Sequence, residues 1–246
     1  MNNQISSVLI IPSYNETLAL PELLRELKSG LTEHDAVLVM DDSSPQTFEI
    51  IRRNCLESAK GSTFLLMFNN SGNKSGRGAA VRRGMEVALS RFPNFEKLLE
   101  CDADGSHQPV DILRIKDSMS KADLLIGSRY LNSSLIVGWP ISRRVFSWLL
   151  NQIIPKLTNV NLKDITNGLR RYSKKAVIQV LSEKQKTAGF IYLSEQAILI
   201  SKARMVLSEE PVTFINRKLG ESTVTWREIL DSLFGVFKLS LISRKT

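Results

Sequence analysis

The sequence predicts an α/β fold in which a mostly parallel sheet is flanked by helices. Short runs rich in Val, Ile and Leu alternate with amphipathic stretches of helical period up to about residue 130, the rhythm of strand–helix–strand units. The 246 residues are 43% hydrophobic and 24% charged, enough apolar material for a full core without disulfides or a structural metal. No Pro/Gly/Ser-rich linker, internal repeat or low-complexity segment divides the chain, so one domain with a division of labour is expected.

The expected strands are Val8–Ile11, Ala36–Met40, Thr63–Phe68, Lys97–Cys101 and Asp123–Ile126, each an apolar run bounded by polar or turn residues. The helices between them are Leu18–Lys28, Phe48–Ser58, Ala79–Ser90 and Ile112–Met119. In the first, Leu20, Leu23, Leu24 and Leu27 form one stripe behind Glu22, Arg25 and Lys28. Beyond residue 130 the rhythm changes. A long helix is expected from Pro140, a favourable first-turn residue, toward Leu157. A strand or loop near Asp164–Tyr172 follows, then helices near Lys175–Leu181 and Tyr192–Lys202 and a strand at Val212–Ile215. An amphipathic helix near Trp226–Ile242 closes the pattern.

Composition removes several function classes. Cys55 and Cys101 lie far apart with no metal-type spacing, which excludes a zinc site or disulfide framework and suits a reducing, cytoplasmic setting. No basic segment followed by an apolar core opens the chain, so no signal peptide is expected. The longest apolar stretch, Ile229–Ile242, is broken by Asp231, Ser232, Lys238 and Ser240, too short and too polar to span a bilayer. The net charge of +8 permits nucleic acid, anionic membrane or phosphorylated small molecules as partners. No helix-turn-helix, zinc-finger or aromatic RNA-binding signature supports nucleic acid.

The chemistry concentrates at strand ends, where ligands of open α/β sheets bind. Cys101-Asp102-Ala103-Asp104 follows the fourth strand, and its two carboxylates can face one divalent cation. Oxygen-only ligation of that kind suits Mg²⁺ or Mn²⁺ held jointly with substrate phosphates. Ile11-Pro12-Ser13-Tyr14-Asn15-Glu16 follows the first strand and Met40-Asp41-Asp42-Ser43-Ser44 the second. Helix capping accounts for one residue in each of these loops. It does not account for a whole acidic edge, which suits a nucleoside held by hydrogen bonds and a diphosphate held through a metal.

Six motifs stand in order: Pro-Ser-Tyr-Asn-Glu from Pro12, Asp-Asp-x-Ser from Asp41, Gly-Arg-Gly-Ala-Ala from Gly76, Asp-Ala-Asp-Gly-Ser-His from Asp102, Gly-Ser-Arg-Tyr from Gly127 and Asp-Ile-Thr-Asn-Gly-Leu-Arg from Asp164. In this order the chain resembles the family 2 glycosyltransferases, most closely the dolichol- or polyprenol-phosphate mannosyltransferase branch, from about residue 7 to about residue 223. The resemblance implies a GT-A fold over 1–225, with a donor and metal half at 1–130 and an acceptor half at 131–225, and leaves 226–246 as the C-terminal helix. It implies that Pro12, Tyr14, Glu16 and Asp42 line the nucleoside, with Ala103 beside them. Asp102 and Asp104 then hold the metal, and Ser106 is a further candidate ligand where family members often carry Gln. His107 is expected to be structural. Arg217 matches a segment that closes over the donor diphosphate.

The resemblance also implies a lipid-phosphate acceptor, which needs cations. Arg143, Ser147 and Asn151 recur at i, i+4 and i+8 and share one helical stripe, with Val145, Trp148 and Leu149 expected as the packing face. Arg129, Arg143 and Ser147 are the candidate phosphate grip, and Asp104 joins them as a catalytic residue. Glu195 falls near the acceptor side in the family pattern, but a phosphate nucleophile needs no base. The implied activity is metal-dependent, inverting transfer of a hexose, mannose above all, from a nucleotide sugar (GDP-mannose or UDP-glucose) to polyprenyl or dolichyl phosphate. A hydroxyl acceptor on a glycolipid or polysaccharide, or a non-catalytic nucleotide-sugar-binding role, is the alternative. The C-terminal stripe of Trp226, Ile229, Leu230, Leu233, Phe237 and Leu241 suggests peripheral membrane association, with a homodimer or membrane partner protein as the other use of that face.

Overall fold

The computed structural model of the chain describes residues 4–59, 64–187, 189, 191–216, 235 and 239. In chain order the elements are β1 (Ser7–Ser13), α1 (Ala19–Leu27), β2 (Asp35–Asp41), α2 (Pro45–Ser58), β3 (Phe64–Asn69), α3 (Arg77–Arg91), β4 (Lys97–Glu100), α4 (Pro109–Asp117) and β5 (Leu124–Ser128). The second half adds β6 (Leu135–Val137), α5 (Ile141–Thr158), β7 (Arg170–Ser173), α6 (Lys174–Ser182), α7 (Ile191–Lys202), β8 (Leu207–Pro211) and β9 (Thr213–Ile215). The main sheet runs β3-β2-β1-β4-β7-β5-β8, and β6 pairs with β9 in a small second sheet. Every pairing is parallel except those of β7, which lies antiparallel between β4 and β5.

Strand alternation divides the core in two. Val8, Ile10, Ala36, Leu38, Leu98 and Leu124 point to one face of the sheet and pack with α3, α6 and α7 residues such as Val81, Met85, Val177 and Ile198. Leu9, Ile11, Val37, Val39, Leu99 and Leu125 point to the other, against Leu20, Leu24 and Leu27 of α1, Ile51 of α2 and Ile112 and Ile115 of α4. A sheet covered on both faces explains why its strands read as continuous apolar runs.

The five expected strands and four expected helices of the first half are present, with ends shifted by a few residues. In the second half the stretch read as strand or loop is loop at Asp164–Leu169 and strand at Arg170–Ser173. Two findings differ. Strands β6 and β8 were not anticipated. Pro140 sits at the N-cap of α5 rather than inside its first turn, and Asn159 in the left-handed region (φ 53°) ends that helix.

The expected packing face of α5 is also corrected. Val145, Trp148 and Leu149 are exposed, while Leu150 and Ile154 are buried and Phe146 packs against the core. The core lies on the side of α5 that carries Leu150, Asn151 and Ile154, so Val145, Trp148 and Leu149 look away from it. The expected helix at 226–246 lies outside the described residues except for Gly235 and Leu239. Both are buried, Leu239 in the core, and a Cβ on Gly235 would come within 2.8 Å of Ile191. No helix among the described residues is long and apolar enough to cross a membrane.

Candidate active site

The register brings the motif-bearing segments to one edge of the sheet. Ser13 at the end of β1 pairs with Asp41 at the end of β2, and Ile10 pairs with Glu100 at the end of β4. Because β7 is antiparallel, its first residue Arg170 pairs with Glu100 and Ile126, which delivers the loop 164–169 to the same edge. Ser128 ends β5 beside Pro211, so Arg129 emerges there as well.

On the donor side, Tyr14 is exposed with the Lys74 ammonium 4.4 Å above its ring, a cation–π contact. Pro12 and Glu16 are half-buried on either side of it. Asn15 adopts φ 60°, and its backbone N–H donates to Ser43 Oγ at 2.8 Å, tying the first loop to the second. Ser44 caps α2 by accepting from Thr47 N–H, so capping explains that residue alone.

Asp42 is buried, and both its oxygens are engaged. Oδ2 accepts from Ser75 N–H and Oγ–H, each at 2.8 Å, and from Gly76 N–H at 3.1 Å, while Oδ1 accepts from Arg83 Nη2 at 2.7 Å. It therefore anchors the turn that opens α3, where Gly76 adopts φ 86°, a conformation that disfavours a side chain.

The acidic pair is built by its neighbours. Arg77 Nε donates to Asp102 Oδ1 at 2.7 Å, and its Nη2 donates to the Gly168 carbonyl at 3.2 Å. A Cβ at Gly168 would lie 2.5 Å from that guanidinium, so a side chain there would push the arginine out of this position. His107 is structural, as expected: Nδ1 accepts from Asp102 N–H at 3.1 Å, and Nε2 pairs with Asn167 Oδ1 at 3.0 Å, which makes the ring the Nε2–H tautomer. Asp104 Oδ1 accepts from the backbone N–H of Ser106, a buried residue whose carbonyl in turn accepts from Ile215 N–H. Ala103 between the two carboxylates is buried in the core.

Electrostatics keep this edge ionised. Burial alone would raise the Asp102 carboxyl, but Arg77, His107 and Arg129 outweigh it and bring it down to about 2. Burial opposes the Arg77 charge, yet Asp102 and Glu100 raise the guanidinium above its ordinary range. Glu100 beneath them is pushed up by burial against the pull of Arg77 and Arg170.

Asp102 and Asp104 fit Mg²⁺ or Mn²⁺. They are hard carboxylates one residue apart at a strand end, and Asp102 stays partly open with a side chain 29% exposed. Such ions are commonly held by one or two carboxylates with water and substrate phosphate completing the shell. No group of three or more His, Cys, Asp or Glu capable of holding a metal exists among the described residues. Three buried side-chain polar atoms of the described residues lack a hydrogen-bond partner: Ser13 Oγ, Arg77 Nη1, which lies 3.8 Å from Glu100, and Trp139 Nε1. All three belong to segments at this edge, where a polar ligand would satisfy them.

On the acceptor side the stripe of α5 faces the site. Arg143 Nη1 donates to Asn216 Oδ1 at 3.1 Å, and its guanidinium stacks 4.3 Å from the Trp139 ring. Ser147 Oγ accepts from Tyr130 O–H at 2.8 Å. Asn151 is buried; its Nδ2 donates to Thr166 Oγ1, and its Oδ1 accepts from Ile165 N–H. Arg129 is held differently from a freely available phosphate grip. Its Nε and Nη2 donate to the two oxygens of Asp164 at 2.8 Å each, and Nη2 also reaches Thr166 Oγ1. It is enclosed by the rings of Trp139, Phe214 and Tyr130 at 5.2, 5.6 and 5.8 Å. Glu195 is buried and accepts from Lys186 N–H, Thr187 N–H and Thr187 O–H. Arg217 lies outside the described residues.

Arg77 and Asn167 are the residues that reading strand ends for acids passed over. The signal was present in the Gly-Arg-Gly and Thr-Asn-Gly motifs, where small neighbours make room for a polar side chain.

A mostly parallel sheet flanked by helices, with an Asp-x-Asp pair at the end of its central strand, is the architecture of the GT-A fold. The chain belongs to glycosyl transferase family 2, whose model matches residues 8–181. It is 32% identical over 237 residues to an undecaprenyl-phosphate mannosyltransferase of Micrococcus luteus, covering 96% of this chain and 94% of that one. It is 30% identical over 239 residues to a polyprenol monophosphomannose synthase of Mycolicibacterium smegmatis, covering 97% and 88%. In fold it is similar to glucosyl-3-phosphoglycerate synthase of Mycobacterium tuberculosis, crystallised with Mn²⁺, UDP and phosphoglyceric acid, at 15% identity and a TM-score of 0.60 over 98% of this chain and 78% of the other. Mannosyl-3-phosphoglycerate synthase of Rubrobacter xylanophilus gives a TM-score of 0.61 at 14% identity, covering 98% and 74%.

Proposed function

We propose that this glycosyltransferase moves mannose from a nucleotide sugar, GDP-mannose in the first instance, to a polyprenyl phosphate at the membrane surface, with inversion at the anomeric carbon. One observation carries the reading: the Asp102/Asp104 pair and the Arg143–Ser147–Asn151 stripe converge on a single sheet edge. Two relatives named for this chemistry, matched over nearly their whole length, support it.

The roles follow from charge. Tyr14 and the loop after β1 offer a stacking and hydrogen-bonding surface for the nucleoside. Asp102 and Asp104 would hold Mg²⁺ or Mn²⁺ on the donor diphosphate, and the ion would supply Lewis-acid stabilisation of the leaving group. The acceptor is a phosphate monoester with a second pKa near ~6, largely dianionic at neutral pH. Its oxygen attacks the anomeric carbon as the bond to the nucleoside diphosphate breaks, and no proton has to be removed. Arg143 and Ser147 orient that oxygen, and orientation is the larger part of what such a nucleophile needs. Arg129, fixed by Asp164, adds positive potential from behind. A hydroxyl acceptor would need a general base, and the oxygens of Glu195 are already taken by three donors.

Radiolabelled transfer tests the reading. Label from GDP-mannose should enter an organic-extractable, mild-acid-labile product only when polyprenyl phosphate and a divalent cation are both present. Equal transfer to a polyprenol or a saccharide hydroxyl would overturn it.

A further inference from the structure

Trp139 is set in place by the backbone on both sides. Gly138 adopts φ 75°, which turns the chain after β6 at little steric cost, and Pro140 follows at the N-cap of α5. Gly138 and Pro140 are exposed, while Trp139 between them is buried, at 9% exposure. Its ring meets Phe214 edge-on at 5.2 Å. Two guanidiniums lie against the same indole, that of Arg143 at 4.3 Å and that of Arg129 at 5.2 Å from the ring centre. These contacts use the aromatic ring. They leave the indole N–H unused, and Nε1 lacks a hydrogen-bond partner.

A buried indole N–H ordinarily finds an acceptor, because a buried donor left unmatched costs free energy. Phenylalanine would supply an aromatic surface to both arginines without that cost, so packing does not account for the nitrogen. Charge indicates what the N–H is matched to. From Leu124 to Lys163 the sequence contains Arg129, Arg143, Arg144, Lys156 and Lys163 and no acidic residue. Asp164, the carboxylate beside Arg129, has both oxygens engaged: Oδ2 accepts from the backbone N–H and Nε of Arg129, and Oδ1 accepts from its Nη2. The helix that begins two residues after Trp139 has no side-chain cap, so its N-terminal end adds positive potential. A donor in such surroundings suits an oxyanion brought from outside the chain.

We infer that the Trp139 indole N–H donates to a non-attacking oxygen of the acceptor phosphate, which makes Trp139 a positioning and specificity residue beside Arg143. This role rests on the proposed acceptor and deepens it. Arg143 supplies charge, and Trp139 supplies direction: the two guanidiniums hold the indole plane, and the plane fixes where the oxygen must lie. A neutral N–H also binds an oxyanion without giving up its proton. The nucleophile therefore keeps its negative charge for attack on the anomeric carbon. A prenol or a saccharide hydroxyl offers this donor no anion, so the N–H favours phosphate monoesters over alcohols.

The test uses the full chain, isotope-labelled in its indole nitrogens. Trp139→Phe keeps a ring for both arginines and removes the donor. Benzothienylalanine at the same position keeps the bicyclic shape and puts sulfur in place of the N–H. The indole resonance missing from Trp139→Phe identifies Trp139. It should move downfield when a short-chain, water-soluble prenyl phosphate or methyl phosphate is added, and stay in place with the corresponding prenol or with GDP-mannose. Both variants should raise the KM for the prenyl phosphate roughly 10-fold or more. Their kcat and their dissociation constant for GDP-mannose should stay within about 2-fold of wild type, the pattern of a lost binding contact. A resonance unmoved by either phosphate, or moved by GDP-mannose alone, overturns the inference. So does an unchanged acceptor KM in the benzothienylalanine protein, since the ring alone would then suffice. A wild-type protein that transfers to no prenyl phosphate refutes the proposed function instead, and the response of the resonance to methyl phosphate still decides whether the N–H binds an oxyanion.

Discussion

Arg77 holds Asp102 in place: Nε donates to Oδ1 at 2.7 Å, and the same guanidinium reaches Glu100 at 3.8 Å and lies 5.5 Å from the Tyr192 ring. The arginine enters from the first turn of α3, while the carboxylate belongs to the turn after β4. One oxygen of Asp102 is thereby engaged by the protein. On the proposed metal role the contact would orient a ligand from outside the coordination shell, a role commonly worth 10- to 100-fold in metal affinity or activity.

Arg77→Lys keeps the charge but cannot bond Asp102 and the Gly168 carbonyl together. The Mn²⁺ concentration giving half-maximal transfer should rise by roughly 10-fold or more, with the circular dichroism spectrum unchanged. A superimposable metal titration would remove Arg77 from the site and leave it a packing residue.

The pairing of Arg129 with Asp164 is a stability element with a pH signature. Burial would raise the Asp164 carboxyl, but the charge and hydrogen bonds of Arg129 pull it below its ordinary value. A carboxyl depressed in the folded state stabilises the protein above its unfolded pKa, about 3.9, and that contribution disappears as pH falls through the folded value. Asp164→Asn leaves a buried guanidinium uncompensated and should cost about 3–5 kcal/mol at neutral pH. Denaturant curves should show the gap between variant and wild type narrowing below about pH 4. A gap independent of pH would mean that the carboxylate charge is not what stabilises the loop.

Where the sequence was legible, the reason is burial. Val8–Ile11 and Ala36–Met40 read as strands because helices cover both faces of the sheet and every position is apolar, and Lys97–Cys101 reads so from Leu98 and Leu99, which face opposite sides of the core. The stretch that holds β7 reads only as strand or loop because it carries Arg170 and Arg171 into the interior, where each donates to main-chain carbonyls: Asn167, Ile165 and Leu193 for Arg170, and Ile115, Ser118 and Ser120 for Arg171. Nothing in local periodicity signals a buried arginine paired with backbone. Strand β8, Leu-Ser-Glu-Glu-Pro, is the sheet edge and half-exposed throughout, so it lacks an apolar run. At the candidate site, the position of Asp102 and Asp104 at a strand end and of Arg143 and Ser147 on one helical stripe was legible from residue type and spacing. The partnerships of Asp42 with Ser75 and Arg83, and of Arg129 with Asp164, were not, because each joins segments more than thirty residues apart.

The two cysteines should be chemically silent. Burial, with Asp41 adding to it, pushes the Cys55 thiol up to about 12, and burial beside Asp102 raises Cys101 further. Both are fully buried and unpaired. Neither should react with a thiol reagent at about pH 8 in the native state, and both should react once the protein is unfolded in guanidinium. Rapid native-state labelling of Cys101 would show that the turn carrying Asp102 opens readily.

Arg143 separates the two halves of the site most sharply. It stacks on Trp139 and donates to Asn216, so its guanidinium is pre-positioned, and Ser147 follows one turn later on the same stripe. Removing a charge-assisted contact to a phosphate costs about 1.5–3 kcal/mol, roughly 10- to 100-fold. Arg143→Ala should therefore raise the KM for polyprenyl phosphate by that factor while leaving the dissociation constant for the nucleotide sugar within about 2-fold. Arg143→Lys should recover only part of the loss, because an ammonium cannot stack on the indole and bond Asn216 in the same plane. Donor affinity and acceptor KM, measured separately on the same preparation, decide the matter. A fall in nucleotide-sugar binding with an unchanged acceptor KM would place Arg143 on the donor side and dissolve the division of the edge into a metal-bearing half and a phosphate-gripping half.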